Sequence, residues 1–205
     1  MKVIKKKRRR ADASSYLEGQ LLVAMPSMGD RRFARSVIYI CAHSDEGAMG
    51  LIVNQRASHI SAPDLLEQLG ISPRSANDEV SNKVLDLPIQ IGGPVESGRG
   101  FVLHSADYFA EESTLAIEAD VCLTATIDIL KAIAQGRGPN RAMLAHGYAG
   151  WSPGQLESEI HANGWLNCPA HPDIIFDDAH DSKYARAMAT IGIDLSHLVN
   201  DAGHA

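Results

Sequence analysis

Asp30, Arg31, Arg32, Phe33 and Arg35 stand together just after the apolar run 21–25. Pro26 and Gly29 stop that run and turn the chain, so these polar groups fall at one edge of a sheet. Guanidinium groups offer planar, paired donors that suit a carboxylate or a phosphate. Two readings stand: an anion site, or an internal ion pair of Asp30 with Arg31 or Arg35 that fixes the loop.

Two glycine-bearing segments carry a second kind of chemistry. Gly92-Gly93-Pro94 and Gly98-Arg99-Gly100 flank a short loop whose backbone amides can cradle an anion or make tight strand turns. No G-x-G-x-x-G is formed, because position 103 is Leu, and no Walker pattern occurs. Residues 147–152 (Gly-Tyr-Ala-Gly-Trp-Ser) lead from a strand into a well-signalled helix start, where free amides favour a negative group. Tyr148 and Trp151 can stack on a ring; equally, Trp151 can staple the helix against Leu156.

Among nine histidines, His43, His104 and His146 fall at the ends of expected strands, where each is either an acid–base group in a shared cleft or a structural side chain. G-x-S-x-G is absent, and Ser27 lacks a nucleophile elbow. Glu157 and His161 are four apart on one helix face, but without H-E-x-x-H they read as a solvated pair rather than a metal site. The residues therefore nominate no catalytic group, no metal and no cofactor.

Stepping from these residues to the chain that positions them, 205 residues with 45% hydrophobic and 21% charged content fit one globular domain with a full core. Cys41, Cys122 and Cys168 form no C-x-x-C, and three well-separated thiols point to a reducing, cytoplasmic setting. The net charge is −6, yet Lys2, Lys5, Lys6, Lys7, Arg8, Arg9 and Arg10 crowd the first ten positions, so the remaining chain is more acidic than the whole. Residues 1–15 read as a disordered basic arm and 16–205 as a single domain. Such an arm either solubilises or engages nucleic acid with a steep salt dependence. The polar stretch after it cannot serve as a signal-peptide core, and no apolar run approaches a membrane span.

Short apolar runs at 21–25, 37–42, 50–53, 89–92, 100–104, 120–124 and 141–146 read as strands. Helix signals appear at Ser61-x-x-Asp64, at Thr126, at Ser152-Pro153-x-Gln155 and over 182–191, and residues 71–87 read as a surface loop. This irregular alternation predicts a mixed α/β or α+β domain rather than a doubly wound sheet.

Seven segments resemble the AlgH/YqgE family of bacterial proteins: 20–27 (QLLVAMPS), 30–36 (DRRFARS), 46–54 (EGAMGLIVN), 92–95 (GGPV), 99–104 (RGFVLH), 147–157 (GYAGWSPGQLE) and 163–166 (NGWL). The likeness spans nearly all of the chain beyond the arm, which lies outside it. It implies an α+β domain with a curved, barrel-like mixed sheet flanked by helices. It implies no established activity or cofactor, although some members are labelled transcriptional regulators. With these motifs, the expected site is a pocket lined by Asp30, Arg31, Arg35, Arg99, His104, Tyr148 and Trp151. It would hold a small anionic ligand such as a nucleotide, in a regulatory protein that is non-enzymatic or weakly catalytic. The alternatives are a nucleic-acid-binding regulator working through Lys5, Lys6, Lys7, Arg8, Arg9 and Arg10, and a hydrolase using the histidines and carboxylates.

Overall fold

Alternation of side chains along each strand decides how this molecule is layered. In the computed structural model, which describes residues 16–71, 87–118 and 120–195, Leu21 and Val23 enter one core, whereas Leu22 and Ala24 enter another on the opposite face. The expected basic arm and the loop over 71–87 lie almost wholly outside the described residues.

Nine strands form one strongly curled sheet: β1 (Gln20–Ala24), β2 (Val37–Ser44), β3 (Gly47–Ile52), β4 (Ile89–Ile91), β5 (Val95–Ser105), β6 (Thr114–Ala116), β7 (Val121–Thr124), β8 (Ala142–Trp151) and β9 (Trp165–Pro169). The order is β6-β7-β5-β8-β3-β2-β1-β9, and β4 adds to β8 in parallel while every other pairing is antiparallel. This is the α+β domain with a curved, mixed sheet that the family resemblance implied.

Among the described residues, five helices cover the two faces: α1 (Ala62–Gln68), α2 (Ile127–Ala134), α3 (Gln155–His161), α4 (Pro172–Phe176) and α5 (His180–Thr190). Helices α4 and α5 bury Ile174, Ile175, Tyr184, Ala187 and Met188 against Leu21, Tyr39, Leu51 and Leu103. On the other face, α1 and α2 cover Ile89, Val102 and Leu144, and α3 covers Ile38, Ile40 and Ile52 through Leu156.

Of the start signals only Ser61 makes its expected cap, and Thr126 precedes α2 without a side-chain cap bond. Ser61 caps α1 by accepting from the Asp64 amide. The α3 start differs from expectation. Gly154, at φ 73°, turns the chain first, and Gln155 reaches back to the Ser152 amide at 3.0 Å, so the helix begins at Gln155 and not at Pro153. Strands β6 and β9 and the short helix α4 were not foreseen, because three to five residues carry too little periodicity.

Strand β8 is the hinge of the topology. Its first half lies between β4 and β5, and its second half lies between β5 and β3. The handover occurs where Gly92 and Gly93 pass Gly147. A Cβ at Gly93 would sit 2.1 Å from the Tyr148 carbonyl carbon, and one at Gly92 would sit 2.3 Å from the Gly147 oxygen. The glycines of 92–93 thus permit backbone to cross backbone.

Candidate functional site

Beside this crossing, β5 leaves register. Val95 faces Tyr148, but the next pair is Gly100 with His146, so Glu96, Ser97, Gly98 and Arg99 stand off the ladder as a bulge. Glu96 takes φ 48° to make it. The bulge, the β2–β3 turn and the end of β8 enclose an open hollow of about 720 Å³.

Arg99, Tyr148 and Trp151 line that hollow together. The Arg99 guanidinium lies 5.0 Å from the Phe101 ring centre and donates to Glu96 at 3.1 Å. Phe101 meets Tyr148 edge-on at 5.7 Å. Glu46 and Glu96 place two exposed carboxylates around the one guanidinium. Trp151 is buried by its neighbours on one side: its indole N–H donates to Glu159 at 2.9 Å, and its ring meets Trp165 at 5.9 Å.

The other expected site residues lie elsewhere, so no single pocket holds all seven. Asp30, Arg31 and Arg35 occupy the β1–β2 loop. Asp30 pairs with Arg32 at 2.6 Å, not with Arg31 or Arg35, and the Arg32 side chain holds the Asp30 carboxyl below its usual range. The bond closes because Arg32 reaches Asp30 with its own amide as well as its guanidinium. Arg35 takes φ 54° and lays its guanidinium 4.6 Å from the centre of Tyr184. Arg31 is exposed. The length of β2 separates this loop from the hollow, roughly 20–25 Å at the usual strand rise.

His104 is fully buried. Its Nδ1–H donates to the Ser105 carbonyl at 2.9 Å, so Nε2 accepts from Thr124 at 2.8 Å. Thr124 in turn meets Thr114, which accepts from the Ala110 amide. Burial pushes the His104 pKa down and keeps the ring neutral. The three strand-end histidines do not share a cleft: His43 lies against α3, His104 against Thr124, and His146 on the α1 side near His59. Glu157 and His161 do not pair through their side chains either. Glu157 binds His43 at 2.9 Å, while His161 donates to the Glu157 carbonyl. Among the described residues no three His, Cys, Asp or Glu converge to hold a metal ion.

Two groups escaped the sequence reading. Glu159 accepts both indole N–H groups on one oxygen and Gln155 on the other. Lys183 is buried; its Nζ donates to the Val53 and Ile175 carbonyls at 3.1 and 2.8 Å, and burial lowers its pKa to about 8. Nearby, Gln90 Oε1 and His180 Nε2 are buried and meet no hydrogen-bonding partner among the described residues. A Glu or Lys on a helix reads as solvated until the opposing side chains are known; only the Glu159 spacing from Gln155 gave a local hint.

The AlgH-like family model matches residues 21–196. The chain belongs to the AlgH-like family. A UPF0301 protein of Methylobacterium sp. (strain 4-46) is 61% identical over 196 residues, covering 96% of this chain and 93% of that one. A UPF0301 protein of Afipia carboxidovorans is 60% identical over 195 residues, covering 95% and 93%. The solution structure of the AlgH protein from Pseudomonas aeruginosa matches with a TM-score of 0.72 at 39% identity, over 96% of this chain and 100% of that one. The crystal structure of protein DIP2367 from Corynebacterium diphtheriae shares the fold, with a TM-score of 0.64 at 23% identity over 84% and 85%. In this AlgH-like chain, four of the segments that carry the resemblance (46–54, 92–95, 99–104 and 147–157) contribute to the hollow.

Proposed function

We propose that this AlgH-like protein is a regulatory binding module whose hollow takes a small ring-bearing anion, a nucleotide being the leading class. One observation carries the reading: Arg99, Phe101, Tyr148 and Trp151, from two strands, converge with Met49 of a third on one open hollow. The Arg99–Glu96 pair is exposed on both sides, and such pairs contribute little net stability, so the guanidinium can exchange its carboxylate for a guest. Tyr148 supplies ring surface next to it, while the Trp151 ring is buried in the α3-side core behind the end of β8. Glu46 and Glu96 favour guests with a single, well-placed negative group over densely charged ones. The histidines are dispersed, which favours binding over acid–base catalysis. The three free, buried thiols suit a reducing compartment such as the cytoplasm.

Calorimetric titration of the full chain with nucleotides and phosphorylated metabolites tests this, with Arg99→Ala as control. Saturable binding weakened tenfold or more by the substitution is the expected outcome. Binding no tighter than about millimolar across the panel, or indifference to Arg99→Ala, rejects it.

The segregation of charge supports a second reading, in which residues 1–10 engage nucleic acid while the acidic remainder stays clear. Deleting those ten residues then abolishes retention of nucleic acid at physiological salt. Unchanged retention rejects the arm as the contact.

A further inference from the structure

Residues 16–18 lead into β1: the Leu17 side chain packs against the α3-side core, its carbonyl accepts from the Gln20 amide at 3.0 Å, and its own amide donates to a histidine. The side chain of His43 is almost entirely buried at the end of β2. Its Nδ1 lies 3.0 Å from the Leu17 amide nitrogen, and its Nε2 lies 2.9 Å from Glu157 Oε1. An amide can only donate, so Nδ1 carries a lone pair, and the ring's one proton sits on Nε2 and points at the carboxylate. Tyr16 packs edge-on over the ring at 5.1 Å.

We propose that His43 is a proton-operated latch on the Leu17 amide just ahead of β1: neutral, its Nδ1 accepts that N–H; protonated, it releases it. A proton added at Nδ1 would face the Leu17 N–H, donor against donor. The imidazolium keeps its bond to Glu157, which strengthens with charge. Protonation therefore exchanges the contact to the Leu17 amide for a stronger one to α3. The sheet need not move, since Leu17 N–H is outside every strand ladder.

The charged and titratable groups around the ring divide between its neighbours. Helix α3 contributes Glu157, with His161 one turn on, and the segment before β1 contributes Tyr16; Glu18 lies toward Tyr39 and Cys41, and Glu46 lines the hollow. Ala48, opposite on β3, contributes none.

Amide hydrogen exchange on the full-length chain, followed by NMR between pH 8 and pH 5, tests the latch. The Leu17 protection factor should fall at least tenfold in step with the titration of the His43 ring, while amides of β1 and β2 such as Val23 and Tyr39 keep theirs. Glu157→Gln retains an acceptor but removes the charge, and should move the release to lower pH. Leu17 protection that persists after His43 has titrated overturns the proposal. So does a loss of protection shared equally by Val23 and Tyr39, which would be general unfolding, or an unshifted release in Glu157→Gln.

Discussion

Glu159 receives the indole N–H of Trp151 and of Trp165 on one oxygen, and these are the only two tryptophans of the chain. Glu159→Gln leaves one acceptor oxygen and introduces an N–H₂ that competes for the same space. The expected loss is about 1–3 kcal/mol, the range for an unsatisfied buried donor, measured by urea unfolding. Tryptophan emission should change in the folded variant, because both indoles lose a charged partner. At this scale, sequence alone misassigned partners more than it missed residues. Asp30 was legible as an ion-pair member, but the choice of Arg32 over its neighbours depends on the turn that folds residue 32 back on residue 30. Glu157 was legible as a histidine partner. The histidine is His43 on a distant strand, which no local spacing encodes.

Among the elements, the crossing of 92–93 over 147–148 leaves no room for a side chain on Gly92 or Gly93. Gly93→Ala places a methyl carbon inside van der Waals contact with backbone at a φ of 156°, and no side chain is available to yield. The variant should lose at least about 3 kcal/mol or fail to accumulate folded protein, whereas Gly98→Ala, which meets nothing within 4 Å, should unfold at the wild-type midpoint. Leu156→Ala removes the one fully buried side chain of α3 and should cost about 2–5 kcal/mol by thermal or urea unfolding. Long strands were readable because their apolar runs are bounded by Gly, Pro and Asp. The sheet order was not, since β8 meets β3, β4 and β5 through segments separated by dozens of residues. For the same reason the hollow was only partly readable. Arg99, Tyr148 and Trp151 came from motifs that converge, while the β1–β2 loop lies at the far end of β2.

For the whole molecule, buried titratable groups set a pH profile. Burial lowers the pKa of His104, His146 and His180, so the native state binds fewer protons than the unfolded chain below the ordinary histidine value of about 6.5. Stability should hold above that value and decline as pH falls toward the native pKa values. Urea midpoints at pH 7.5 and pH 5.0 check the sign, and His104→Asn should flatten part of the slope. Lys183 acts at the other end. Its native pKa of about 8 lies below the unfolded value, so stability should rise from about pH 8 toward pH 10. A neutral amine keeps two N–H bonds, one for each of the Val53 and Ile175 carbonyls.

The central position of β8 also sets when the nascent chain can become a domain. Strands β3, β4 and β5 all depend on a partner that leaves the ribosome after them, and β1 waits longer still for β9. Until about residue 151 has emerged, apolar ribbons from the first half of the polypeptide have open sides during translation. Chaperone demand should therefore peak on ribosome-bound fragments that stop short of β8, and fall once translation passes it.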